Sequence, residues 1–288
     1  MSTGKARVTF LGSTGFSQAE EYSDWAFLNT ASTVKDGRRE LGDRVITPDG
    51  RVYRYAKAGT GGVLAQMGAA NTLRTINVAV APAQAAALSD KVGVAALAAG
   101  VVGSYRVTFT KDATCNLSAD GVIAEDELRG AYIVIGNGSA QSPQMRCIVG
   151  NPASATGAAS LTVTLDAPLL TAVTVGTTTI EVMFNPYNNL SGNYSNSGYT
   201  SFLGVPAAVA TVGQYFWLQT WGPCWITSDS NTCNSVSDRE IFFVANGSVV
   251  SGADASDTTT SFQRAGFAMD ASSSGASNAP MVMLQISI

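Results

Sequence analysis

The chain has 288 residues, 45% hydrophobic and only 13% charged, with a formal net charge of −4 and no histidine. That length supports one large β domain or two to three small ones around a substantial core, and the hydrophobic content excludes a disordered chain. The lack of histidine excludes Ser-His-Asp triads, histidine bases and the commonest metal ligand, and the acidic balance argues against direct nucleic-acid binding, which needs a basic patch. A charged fraction this low has two readings. One is an ordinary neutral surface, and the other is a surface partly covered by neighbouring copies, because interface cores are depleted in charge.

Along the chain, 16 of the 38 charged residues fall in the first 57 positions. Residues 1–41 therefore read as an N-terminal arm that docks on a neighbour, or as a plain first hairpin or short helix. The opening MSTGKARVTFLGSTG has no charged segment leading into an apolar run, so no secretory signal is expected and synthesis is expected in a cytoplasm. Its STGK ends like a phosphate-binding loop but lacks the earlier glycine of that motif. Lys35, Arg38, Arg39 and Arg44 alternate with Asp36, Glu40 and Asp43 and read as a solvated polar segment.

Residues 42–110 form a hairpin module. Strand-formers around Val45 and from Val52 through Tyr53 to Tyr55 flank Pro48-Asp49-Gly50, where proline presets φ and glycine accepts positive φ. INVAVAP and GSYRVTFT read as strands, and AQAAALSD between them as a short helix. The longest apolar stretch, Val92–Val102, is too short for the ~20 residues of a membrane span. Residues 111–187 carry AYIVI, MRCIVG, SLTVTLD and TIEVMF, separated by turn residues, and read as a sandwich module. Residues 188–288 form a C-terminal β module with QYFWLQTWGPCWIT, REIFFVANGSVV and PMVMLQISI as strands. It opens on the Asn- and Tyr-rich stretch NPYNNLSGNYSNSGY and contains Ser/Thr-rich loops. The fold class expected is mainly β, a sandwich or barrel with long loops.

Little in this sequence points to chemistry. Glu125-Asp126-Glu127 is the densest carboxylate group and reads as a solvated loop. The four cysteines, Cys115, Cys147, Cys224 and Cys233, contain no CxxC pair, and no metal site is expected. Cys224 and Cys233 bracket CWITSDSNTC and would close a small disulfide in an oxidising medium; otherwise all four are free thiols. Five glycosylation sequons, at Asn116, Asn137, Asn189, Asn193 and Asn246, matter only in a secretory pathway. The aromatic run from Tyr215, Phe216 and Trp217 through Trp221 to Trp225 is either core packing or a stacking platform for carbohydrate.

GDRVITPDGRVYRYAKAG followed by LAQMG resembles structural proteins that accompany the major capsid protein of tailed phages. So do LRGAYIVIGNGSAQSPQMRCIVGNP, SLTVTLDAPLLTAV, TIEVMFNPY, GVPAAVATVGQYFWLQTWGPCWI and RAGFAMDASSSG, which together span most of residues 42–288. The resemblance implies a capsid cement (decoration) protein with a β-tulip-like fold, neither enzyme nor cofactor binder. Such a protein sits on the outer face of the expanded head and clamps capsomer seams. Its partners would be the major capsid protein and its own copies, as a homotrimer or alternatively a dimer, with no membrane and no direct nucleic acid. Its place would be the virion surface. Trp25, Phe27, Tyr53 and Tyr55 are expected near the capsid contact. The alternatives are a tail or fibre component and a carbohydrate-binding, adhesin-like module.

Overall fold

Short runs of alternating apolar and polar residues, cut by Gly, Asn, Ser and Pro, become strands. The computed structural model describes residues 6–11, 17–22, 26–71, 94–96, 98–110, 122–137, 141–155, 160–175, 177–192, 201–229, 239–252, 263–270 and 280–288. Strands take up 49% of the described residues and helix 2%, so the described chain is mainly β, as the sequence led us to expect. INVAVAP, the expected helix AQAAALSD, Trp25, Cys115 and Cys233 lie outside the described residues.

The chain divides into two units. The first joins Met1–Thr72 to Tyr187–Ile288, and the second is Leu73–Pro186. This is a different partition from four consecutive segments (1–41, 42–110, 111–187, 188–288). The physical reason is strand pairing: β4 (Val52–Lys57) is hydrogen-bonded to β14 (Tyr215–Trp225), with Trp217 opposite Tyr55. One sheet is thereby assembled from the two ends of the chain.

In the first unit the main sheet runs β16-β15-β17-β18-β14-β4-β3-β1-β2. These strands are β16 (Val249–Ser251), β15 (Glu240–Phe243), β17 (Gln263–Ala268), β18 (Met281–Gln285), β3 (Arg44–Ile46), β1 (Ala6–Leu11) and β2 (Ser17–Tyr22). A branch of β5 (Ala69–Asn71), β12 (Leu190–Ser191) and β13 (Ser201–Pro206) joins at β14. The expected Pro48-Asp49-Gly50 hairpin is present. Ile46 faces Val52, the Thr47 amide donates to Arg51 O at 2.9 Å, and Gly50 takes φ +85°. The described part of the leading segment is paired within the sheet: β1 pairs with β2 and, through Phe10 opposite Val45, with β3. It is the first hairpin of the sheet, the alternative left open by the sequence.

β14 is the longest strand among the described residues, with eleven residues, and it bulges so that different lengths of it serve different neighbours. Its register against β4 shifts between Gln219 and Trp221. The Gln219 side chain fills the break by donating to the carbonyl oxygens of Trp221, Gly222 and Pro223. A second bulge lies in β17, where Gly266 has φ +153° and a Cβ there would stand 1.9 Å from Met283 O. Only glycine lets β17 approach β18 this closely.

The second unit is one six-stranded sheet, β6-β11-β8-β9-β10-β7. These strands are β6 (Val94–Ala95), β11 (Thr178–Met183), β8 (Tyr132–Asn137), β9 (Gln141–Gly150), β10 (Ser160–Leu165) and β7 (Arg106–Thr110). Ala96, just after β6, bridges Phe109 of β7, which brings the two ends of the sheet order together. Inside lie Phe109, Leu128, Ile133, Ile148, Leu161, Leu165 and Ile180, all at 2% exposure or less. Burying each such side chain contributes about 1.5–3 kcal/mol, the main favourable term for this sheet against the entropy of ordering it.

Candidate interaction face

Of the residues expected at a capsid contact, Trp25 lies outside the described residues, and the other three belong to one core cluster of the first unit. Tyr53 and Tyr55 are buried beside Leu28, Val45 and Trp217, with Phe27 and Tyr215 packed against them. Tyr55 stacks on Tyr215 at 5.7 Å and lies 5.3 Å from Trp217, and Phe27 meets Trp217 edge-on at 5.7 Å. The Tyr55 hydroxyl accepts from the Asp36 amide at 3.0 Å, and that of Tyr53 accepts from Arg51 Nη1 at 2.7 Å. Alternation explains the error: a pair of aromatics in a β hairpin suits a core as well as a contact surface. Here Leu28, Leu41 and Trp217 pack with them, leaving Tyr53 3% and Tyr55 5% exposed. Arg39 is a further correction. Instead of being solvated it is buried, with its guanidinium 5.4 Å from the Trp217 ring centroid and 3.5 Å from Asp36.

The acidic triplet is a turn that holds itself. The Glu127 carboxylate accepts from the Ala124 amide at 2.8 Å, and Asp126 accepts from the Asn151 amide and faces Arg129. The Asn151 side chain accepts from Leu128 N and donates to the oxygens of Ala124 and Pro152. Among the described residues, no group of three or more Cys, Asp or Glu converges as metal ligands would. Cys224 is buried, and burial pushes its thiol up to about 12, with Arg51 pulling weakly the other way. Its expected disulfide partner, Cys233, falls outside the described residues.

The aromatic run divides between core and surface. Phe216, Trp217 and Leu218 are buried, while past the bulge Trp221 and Pro223 are partly exposed and Trp225 is 54% exposed. Residues at spacing two share a face, so these three look outward together. Register places apolar residues of β18 and β17 beside them. Trp225 lies opposite Met281, and the Met269 amide donates to Met281 O on the far side. Pro223 lies opposite Met283, and Met283 opposite Phe267. Trp221 lies opposite Gln285, whose Oε1 accepts from Arg264 Nη1 at 3.3 Å.

The result is a patch three strands wide and three rows deep: Trp225, Met281 and Met269; Pro223, Met283 and Phe267; Trp221, Gln285 and Arg264. Exposures of 51% for Met269, 42% for Met281 and 38% for Phe267 show that the apolar rows meet solvent. Side chains this large offer about 150–250 Å² each, so the exposed apolar area is on the order of 500 Å², toward the upper end for a monomer and of the size that marks an interaction site. Its three rows hold one charged side chain, Arg264, which pairs with Glu240 at the β15 rim at 3.4 Å. The second unit has a smaller counterpart, with exposed Met183, Tyr132 and Met145 on the outer side of β11, β8 and β9.

Sequence reasoning singled out Trp221 and Trp225 but missed Met281, Met283, Phe267 and Met269. A signal was present: in PMVMLQISI, Met281, Met283 and Gln285 alternate with the buried Val282 and Leu284. What sequence could not show is that β17 and β14 flank β18. Compared with known proteins, the chain matches no family model, no curated protein and no solved structure.

Proposed function

We propose that the chain is a virion structural protein, a capsid cement (decoration) protein that binds the outer surface of a tailed-phage head and stabilises capsomer contacts. It acts by contact and performs no catalysis. The observation that carries the proposal is the Trp225–Met281–Phe267 face, a largely apolar sheet surface of the kind that packs against protein. Trp, Met and Phe are enriched at interfaces and Lys, Glu and Asp depleted. Modest contacts repeated over many copies sum to near-permanent attachment, which is what clamping a shell requires. The partners on this reading are the major capsid protein and further copies of the chain, on the virion surface after synthesis in the host cytoplasm. The resemblance read from the sequence over most of residues 42–288 points the same way.

Quantitative mass spectrometry of purified virions tests it. A copy number near that of the major capsid protein, or a simple fraction of it, is expected. A handful of copies per particle would instead indicate a tail or fibre part. One observation favours a second reading: Trp225 is exposed beside partly exposed Trp221, as in a carbohydrate platform. Saturable quenching of Trp225 fluorescence by a soluble glycan, lost in Trp225→Ala, would replace the capsid reading with an adhesin-like one.

A further inference from the structure

We infer that the Trp225–Met281–Phe267 face is self-complementary and pairs with the same face of a second copy about a two-fold axis parallel to β18. The inference rests on reading this face as an interaction surface, and it names the occupant. The argument comes from the register. β18 is the middle strand of the patch, with β14 on one side and β17 on the other. A two-fold axis along β18 lays β17 of one copy over β14 of the other. Each row then meets its own reverse, as an isologous contact demands.

The chemistry of the rows fits this reversal. In the first, Met269 of one copy meets Trp225 of the other, a thioether against an indole. In the second, Phe267 meets Pro223, a ring against an apolar ring edge. In the third, Arg264 meets Trp221, a guanidinium over an aromatic face. On the axis, Met281 and Met283 meet their own copies and Gln285 meets Gln285, whose amide both donates and accepts. No row sets like charges together. Glu240, at the β15 rim, already pairs with Arg264. Two sheets stacked with near-aligned strands are an ordinary packing mode. A nucleic acid would need a basic face, and the rows of this one hold a single arginine, already paired. The area, on the order of 500 Å² per copy, is below the roughly 800 Å² of a standard stable interface. The dimer is therefore weak in dilute solution and becomes populated where copies are crowded together.

Sedimentation velocity of the full chain over a concentration series tests this, with Met283→Glu and Trp225→Ala as variants. Both positions face solvent, and circular dichroism checks that each variant is folded. The wild type is expected to show a monomer–dimer equilibrium. Each substitution occurs twice per dimer, so each is expected to weaken it roughly 100-fold. Met283→Cys, on the axis, is expected to be linked to its own copy by a short bis-maleimide spanning the roughly 10 Å between packed sheets, whereas the wild type with its native cysteines is not. A wild type that stays monomeric up to its solubility limit would overturn the inference, as would a dimer indifferent to both substitutions or a three-fold assembly. If the monomeric result came with loss of shell binding in Trp225→Ala, the occupant would be the capsid instead. If the dimer forms as expected but the chain is absent from virions, the pairing stands and the capsid reading falls.

Discussion

Two tryptophans eight positions apart on one strand are expected to respond in opposite ways to the same substitution. Trp217 is 5% exposed and sits among Tyr55, Phe27 and the buried Arg39. Trp217→Ala removes its transfer energy and leaves a cavity, which costs about 3–5 kcal/mol for a tryptophan. It also strips the aromatic face from a guanidinium already out of water, a contact worth about 2 kcal/mol when desolvated, which places the expected loss at the upper end of that range. Trp225, 54% exposed, gives up little that folding had buried, and Trp225→Ala is expected to stay within about 1 kcal/mol of wild type. Equilibrium urea unfolding followed by circular dichroism, with the slope unchanged so that midpoints compare directly, measures both. A Trp217→Ala loss below about 1 kcal/mol, or a Trp225→Ala loss as large as that of Trp217→Ala, would refute the division of this strand into a core half and a surface half.

Three further outcomes are expected. Burial pushes the Tyr53 phenol up to about 12 against the nearby Arg51; a pKa raised on folding adds stability that is complete below the unfolded value of about 10 and is lost as pH climbs toward 12. Tyr53→Phe should therefore flatten the alkaline loss in a pH series of melting temperatures, while giving up the hydrogen bond from Arg51 at neutral pH for about 1 kcal/mol; an unchanged alkaline limb would contradict the burial. Phe109→Ala is expected to cost about 3–5 kcal/mol and to raise amide hydrogen exchange in β8–β11 ahead of β14, since Phe109 is fully buried in the core of the second unit; equal exchange gains in β14 would contradict separate cores. Gly266→Ala, whose Cβ would stand 1.9 Å from Met283 O, should cost more than about 3 kcal/mol, read as a melting-temperature drop; a mild effect would mean that β17 can move away from β18.

The sequence by itself determined a good deal. Alternating runs bounded by turn residues gave most of the described strands between Arg44 and Gln285, and Pro48-Asp49-Gly50 gave a hairpin with its register. These are local properties, set by the period of two and by the φ values that proline and glycine allow. Tertiary structure decided what depends on pairing at long range. It joined β4 to β14 and so made one unit from both ends of the chain. It also buried Tyr53, Tyr55 and Arg39, which sequence had placed at a contact or in solvent, because no local pattern says which strand will cover a side chain. The candidate face has the same origin. Trp225, Met281 and Met269 are scattered over 57 positions, and only the antiparallel register of β14, β18 and β17 sets them in one row.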